Sequence, residues 1–396
     1  MKKITVIGMG LGPSTLTPEA SEAIATAQVL LGAPRLLALC DEFTGRSYPL
    51  YSALDVAAVI AQEVAEEFAV LVSGDVGFYS AAAELGAALD IYDLRFIPGI
   101  STVNAFFARL RRPWQNVALI SAHGREANLA DTVRRNRLTF CLTGNNASGL
   151  GAALCSAGFG SIQTYVGENL GENNERVYET TAADLAQESL PPLTVLLFEN
   201  EQFDDRTSCG LPDGSFIRLD GVPMTKSETR ALVMSKLNLR PTDICWDIGA
   251  GTGSVTVEMA LSVYRGHVYA VERREEAVPL IAQNCATFHI GNVTAIHGHA
   301  PNALEALMTP DAVFVGGSGG EMPVIFDVIL RKNPNARIVV TAVTLETVTS
   351  ALAAFKKAGL EPEITQISAA KAKNVGGLHL MEAQNPVTLL SSGGAQ

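Results

Sequence analysis

The chain lacks the residue patterns of a zinc protein, a disulfide scaffold or a membrane protein. Its six cysteines, Cys40, Cys141, Cys155, Cys209, Cys245 and Cys285, are scattered with no Cys-x-x-Cys pair, so neither a disulfide framework nor a metal site is expected. Long apolar runs are also missing. Hydrophobic residues make up 47% of the chain, yet each run is strand-sized and broken by charge or glycine, which excludes a membrane-spanning helix. Behind the basic start Met1-Lys2-Lys3 comes a strand and a glycine turn instead of an apolar signal segment, and an unprocessed, cytoplasmic protein is expected. Positive charge is scarce: the net charge is −12, with 15 Lys and Arg against 26 Asp and Glu in residues 1–220, and 14 against 15 in residues 221–396. Neither part offers the broad basic footprint that a phosphate backbone needs, which argues against a nucleic-acid partner.

The chain is instead long and rich in glycine. Its 396 residues favour two or three domains of about 150 residues each. Two unlike glycine-rich loops stand in it, Gly8-x-Gly10-x-Gly12 and Asp247-x-Gly249-x-Gly251-x-Gly253. Each comes after an apolar β-like run, residues 4–7 and 244–248, and so can turn a strand into a helix beside a nucleotide-like ligand. Two active sites are expected; if both hold the same cofactor, one substrate is modified twice.

The first half alternates a strand at 4–7, a helix at 18–27, a strand at 29–31, a helix near 54–67 and a strand at 69–72, which predicts a largely parallel sheet covered by helices. A second α/β lobe begins at 117–121, after Arg111-Arg112-Pro113-Trp114. The expected lobes are about 1–114 and 115–200. Periodicity fails from 199 to 223, where Asp, Gly, Pro and Ser accumulate, so residues 201–221 read as a linker. Thr225-Lys226-Ser227-Glu228 has the form of a capping box at a helix start. Strands at 244–248, 267–271, 293–297, 312–315 and 337–342 then predict one doubly wound domain over 222–396. The only low-complexity tract is the Ser/Gly tail at 391–396.

In the second loop the glycines let backbone approach a ligand where any Cβ would collide. Ser254 stands where a dinucleotide-binding loop would carry its third glycine. The spacing instead resembles motif I of class I S-adenosylmethionine-dependent methyltransferases. Glu272 ends the next strand, where its carboxylate can accept from both ribose hydroxyls. Asp247, Gly249, Gly251, Thr252, Gly253 and Glu272 are therefore the cofactor candidates, with His299 and Ala300 on the adenine side. His297 and His299, two apart, have no evident third ligand for a metal. Gly317, Ser318 and Gly319, inside Gly316-Gly317-Ser318-Gly319-Gly320, come after a strand at the sheet's carboxyl edge and read as a substrate-facing loop.

The first loop gains weight from four further motifs downstream in the chain: Ser73-Gly74-Asp75-Val76-Gly77-Phe78-Tyr79, Pro98-Gly99-Ile100-Ser101-Thr102, Ser121-Ala122-His123-Gly124-Arg125 and Val166-Gly167-Glu168-Asn169-Leu170-Gly171. This ordered set resembles the tetrapyrrole methylase (class III) family, in the branch that methylates C5 of a corrin precursor. The second half, with Pro223-Met224-Thr225-Lys226-Ser227-Glu228, resembles the companion enzymes that methylate C15 and remove a carboxylate. Together the resemblances cover nearly the whole chain. They imply an α/β protein: a two-lobed tetrapyrrole methylase fold followed by a class I (Rossmann-like) methyltransferase domain. They also imply two S-adenosylmethionine sites, a small-molecule tetrapyrrole substrate and a homo-oligomer, with Gly8, Gly10, Gly74, Asp75, Ser101 and Thr102 holding the first cofactor.

A corrin precursor is rich in carboxylates, which guanidinium forks bind in bidentate fashion. Candidate substrate contacts are Arg109, Arg111, Arg112 and Arg125 in the first site and Lys226 and Arg230 in the second, with His123 as a proton carrier. Arg134, Arg135 and Arg137 read as an exposed helix face. Three rivals stand beside this reading: an NAD-dependent oxidoreductase, opposed by Ser254; a cofactor sensor, for which no effector surface is evident; and an RNA methyltransferase, opposed by the acidic first half.

Overall fold

The computed structural model describes residues 1–122, 128–205 and 209–393. The chain divides into two compact units. The first comprises Met1–Glu126, Leu138–Leu150 and Ile162–Glu199; the second comprises Ala127–Arg137, Gly151–Ser161 and Asn200–Gln396.

The first unit holds two five-stranded sheets. One is parallel throughout, in the order Arg46–Pro49, Val29–Gly32, Glu67–Val72, Lys3–Gly8, Asp93–Ile97. Its central strands are continuous apolar runs because helices cover both faces. Ile4, Val6, Val29, Leu31 and Val70 build one core and Ile7, Leu30, Ala69 and Leu71 the other. The second sheet is mixed, in the order Ala118–Ser121, Leu138–Leu142, Thr194–Glu199, Gln163–Glu168, Arg176–Thr181. These are the two α/β lobes that the alternation predicts. One helix is shorter than expected: it runs Ala53–Gln62, and Glu67 already pairs in the sheet. The Val64-Ala65-Glu66-Glu67 sequence would extend a helix, but tertiary partners override that propensity. The Glu63 carboxylate is held by Arg46 at 2.6 Å and by the Tyr48 hydroxyl.

The second unit is built on a seven-stranded sheet in the order Val293–His297, His267–Glu272, Ile244–Ile248, Ala312–Val315, Arg337–Ala342, Val387–Ser392, Glu363–Ile367. The first five strands are parallel, and Val387–Ser392 runs antiparallel between its neighbours. Ile248 lies opposite both Val271 and Val315. The loops after these three strands therefore open on the same carboxyl edge, where ligands bind in doubly wound sheets. Trp246, Ile248, Val313, Phe326 and Ile338 pack one side of this sheet; Cys245, Val268, Val257 and Phe314 pack the other. A hairpin, Ala370–Val375 with Leu378–Ala383, stands exposed before the antiparallel strand. Among the described residues no helix is long and apolar enough to cross a membrane.

Three expectations change here. The arginine cluster is not an exposed face: Arg134 is 5% exposed and bonds Asp131 and the Asp204 carbonyl, while Arg135 bonds Asp131 and the Leu261 carbonyl. Only Arg137, ion-paired to Glu201, is exposed as expected. Residues 210–217 are not a loose tether, since Gly210 and Leu211 amides donate to Glu258, Phe216 is buried, and Ile217 exchanges hydrogen bonds with Asn284. The capping box is not formed either. The helix Ser227–Leu237 has Lys226 at its N-cap without a side-chain bond, and the Ser227 amide donates to Asp213 Oδ1 at 2.9 Å. A carboxylate from a distant turn takes the place of the Thr225 hydroxyl.

Candidate functional site

Each unit carries a convergence of glycine loops. In the second unit, Gly249, Gly251 and Gly253 all have positive φ, 76°, 56° and 78°. At two of them backbone also comes too close for a side chain. A Cβ on Gly249 would lie 2.8 Å from the Gly317 amide nitrogen, and one on Gly251 would lie 2.4 Å from the Pro223 carbonyl oxygen. Gly253 instead abuts Ile281 and starts the helix Ser254–Ser262. Glu272, 6% exposed, braces this loop by accepting from the Gly251 amide at 2.9 Å and the Arg274 amide at 3.0 Å.

These loops line an open pocket on the carboxyl edge. It brings together Gly249, Gly251, Glu272, His299, Ala300, Gly317, Ser318 and Gly319 from the sequence candidates. Its floor includes Ile248 and Val271. Pro223, Arg273, Arg274 and Gly298 also line it, and none of the four was a sequence candidate for the site. Arg273 and Arg274 had a signal, since they directly follow Glu272. Pro223 stands at the head of the motif that carries the second resemblance, but its place in the wall comes from tertiary packing. His297 Nε2 lies 3.2 Å from the Arg273 carbonyl oxygen. No group of three metal-ligating side chains exists among the described residues.

Asp247 and Thr252 lie behind the loop, not in the open pocket. Asp247 is fully buried; Oδ2 accepts from the Thr256 hydroxyl, and Oδ1 has no partner. Thr252, 1% exposed, likewise leaves its hydroxyl oxygen unpaired. Both orphaned oxygens are sealed beneath the glycine loop, away from the pocket itself. Burial pushes the Asp247 carboxyl up to about 7 from 3.8, against the Thr256 hydrogen bond, which pulls it down. The folded state thus holds a proton that the unfolded state releases between about pH 4 and 7, so this group costs stability increasingly as pH rises through that range. Asp247→Asn removes the cost. Urea melts of the ligand-free protein should show the variant gaining on the wild type from pH 4 to 7, by at most about 4 kcal/mol; a pH-independent difference would sink this assignment.

In the first unit the loops after Lys3–Gly8, Glu67–Val72 and Asp93–Ile97 meet through backbone. Gly10 and Gly74 exchange amide-to-carbonyl bonds of 3.0 and 3.2 Å. Cβ atoms on Gly8 or Gly99 would lie within 2.7 Å of the neighbouring loops' main chain. Asp75 ties this junction, accepting from Gly77 N at 2.8 Å and Gly99 N at 3.2 Å. Ser101 caps the helix Thr102–Leu110 by accepting from Asn104 N. Gly8, Gly10, Gly74, Asp75, Ser101 and Thr102 are thus neighbours on one sheet edge, with the Asp75 and Ser101 side chains committed to backbone.

The arginine candidates fare differently. Arg109 forms a two-pronged pair with Glu175, 2.8 and 3.2 Å, and holds that carboxyl below its ordinary range. Arg112 bonds Glu199 and Tyr165. Arg230 is wholly buried among protein acceptors. None of these three presents a free fork to a substrate, because each has found an acid far away in sequence. Arg111, in left-handed conformation, ends the helix Thr102–Leu110. Lys226 is exposed at its helix start, outside the pocket wall. His123 and Arg125 lie outside the described residues.

Comparison with known proteins adds to this geometry. Residues 3–186 match the family of tetrapyrrole (corrin/porphyrin) methylases, and residues 216–392 match the precorrin methyltransferase domain. A precorrin-6Y C(5,15)-methyltransferase [decarboxylating] of Sinorhizobium is 32% identical over 97% of this chain and 95% of its own length. A probable cobalt-precorrin-6B C(15)-methyltransferase (decarboxylating) of Pyrobaculum calidifontis is 41% identical over 46% of this chain and 95% of its own. A crystal structure of precorrin-6y C5,15-methyltransferase from Geobacter metallireducens is 35% identical, covering 47% of this chain and 97% of that one, with a TM-score of 0.45.

Proposed function

This chain belongs to the precorrin-6Y C5,15-methyltransferase (decarboxylating) family, and we propose that it divides the family's chemistry between two S-adenosylmethionine sites. The first unit methylates C5 of a precorrin-6Y-type corrin precursor. The second methylates C15 and releases the C12 acetate carboxylate as CO₂. The observation that carries this reading is the pocket of the second unit, where three strand-end loops meet around Glu272, the acid that ends the neighbouring strand.

When bound, S-adenosylmethionine supplies a methyl group already activated by its sulfonium. The chain's task is to hold a nucleophilic ring carbon in line and to keep water out. Gly249 and Gly251 let the Gly317 and Pro223 backbones close in and shape the pocket, Glu272 accepts from the cofactor's ribose hydroxyls, and Ile248, Val271 and Ala300 give the site an apolar lining. In the decarboxylation the bond to the carboxylate breaks, its electron pair enters the conjugated macrocycle, and a proton later replaces CO₂ on the carbon left behind. The protein need only orient the carboxylate for this. Arg273, exposed at the pocket mouth, offers a fork for a carboxylate.

Mass spectrometry of a precorrin-6Y-type substrate incubated with S-adenosylmethionine tests the whole assignment: two methyl groups gained and one CO₂ lost are expected, and a substrate of unchanged mass would refute it. Glu272→Ala should weaken cofactor binding in the second unit by about tenfold to a hundredfold, the loss of a charged acceptor worth roughly 1.5 to 3 kcal/mol. Titration with S-adenosylhomocysteine measures it, and unaltered binding at both sites would make Glu272 a loop brace and nothing more.

A further inference from the structure

The segment before the helix Ser227–Leu237 is held in place by one buried cation. Arg230 is 0% exposed, and its guanidinium is engaged along every edge. Nε donates to Glu258 Oε1 at 2.8 Å, Nη1 to Asp213 Oδ1 at 2.9 Å and to the Thr225 carbonyl, and Nη2 to the Leu211 carbonyl. Its plane lies over the Phe216 ring, 4.7 Å from the centroid. Glu258 also accepts from the Gly210 and Leu211 amides, and Asp213 from the Ser227 amide. Lys371, at the base of the exposed hairpin, closes the outer side, 2.9 Å from Glu228 and 3.7 Å from Asp213.

Such a cluster is a poor source of stability, because desolvating the ions offsets much of their attraction. What it fixes is geometry. Between the Leu211 and Thr225 carbonyls, both held by Arg230, the chain is pinned at each end. Just before Thr225 stands Pro223, whose carbonyl accepts from the Thr252 amide at 3.3 Å and fills the space where Gly251 would carry a Cβ. Pro223 is also part of the pocket wall. The buried network and the cofactor pocket are therefore two ends of one short piece of chain.

We propose that Arg230 is a positioning residue of the second site: by pinning residues 211–225 it seats Pro223 against Gly251 and Thr252 and so gives the pocket its wall. This rests on the reading that the cofactor binds there. Only a planar fork serves four acceptors lying in different directions; a lysine keeps the charge but not the fork. Residues 210–221 are then a working part of the C-terminal site and not a spacer before it.

Hydrogen exchange on the full chain, titrated with S-adenosylhomocysteine, separates this inference from the reading beneath it. In the wild type, amides 249–253 should gain protection as ligand is added. In Arg230→Lys the ligand concentration for half-protection should rise about tenfold or more, since small misplacements in a site cost up to about a hundredfold. Amides 210–227 should exchange faster before any ligand is added, while Arg337–Ala342 should be unchanged. An identical half-protection concentration in the two proteins overturns the proposal. If the wild type itself gains no protection at 249–253, the cofactor reading fails and the proposal falls with it. Should Arg230→Lys lose protection at Arg337–Ala342 as well, it has unfolded and Asp213→Asn decides the matter. That variant leaves the Arg230–Glu258 pair intact, so a shift of several-fold in the same direction is expected and no shift overturns the proposal.

Discussion

Gly251→Val should abolish C15 methylation and CO₂ release while C5 methylation continues at the wild-type rate. Gly251 sits at a φ of 56°, a left-handed conformation that costs an ordinary residue roughly 1–2 kcal/mol and a β-branched one more. Its Cβ would also lie 2.4 Å from the Pro223 carbonyl oxygen. The clash cannot be relieved by a side-chain rotation, because the obstacle is backbone that Arg230 holds in place. Relief must come from moving the loop, which breaks the Gly251 amide's bond to Glu272 and opens the pocket. The first unit's glycine junction shares no residue with this loop, so its chemistry should survive. Product masses give the answer directly. Survival of CO₂ release would place decarboxylation outside this pocket, and loss of C5 methylation in a folded variant would mean that the two sites are not independent.

Much of the second unit was legible in the sequence, for a physical reason. A parallel strand buried on both faces reads as a near-continuous apolar run; 312–315 is one, 244–248 and 337–342 are apolar apart from Asp247, Arg337 and Thr341, and the edge strand 293–297 is only partly buried. Their ends in the structure are those the sequence predicts. The glycine loops were legible too: at Gly8, Gly99, Gly249 and Gly251 neighbouring main chain leaves no room for a side chain. The pairing of charges could not be read. Arg109 meets Glu175 66 residues on, Arg112 meets Glu199 87 residues on, and Arg230 meets Glu258 28 residues on. Local sequence makes each look like a free cation, and only the topology supplies its acid. The capping box failed similarly: Thr225 and Glu228 have the right spacing, but the Ser227 amide is taken by Asp213. A linker at 201–221 rests on composition alone, and composition cannot register that Gly210 and Leu211 supply amides for a buried carboxylate.

Gly99→Ala should produce the converse phenotype, loss of C5 methylation by about a hundredfold or more with CO₂ release retained. Gly99 carries no unusual φ, so the obstacle is purely one of space. A Cβ there would lie 2.4 Å from the Gly74 carbonyl oxygen, 2.5 Å from the Gly8 carbonyl oxygen and 2.7 Å from the Gly10 amide nitrogen. All three neighbours are main chain from two other loops, so even one methyl group must push the strand-end junction apart. Gly74→Ala provides the contrast. Gly74 has a φ of 66° but open space where a Cβ would go, so that variant meets only the conformational cost of roughly 1–2 kcal/mol. Its C5 methylation should fall less than that of Gly99→Ala. If Gly74→Ala proves the more damaging, backbone conformation and not close packing of the three loops is what the first site requires. If Gly99→Ala folds and methylates C5 normally, the junction is not where the first cofactor binds.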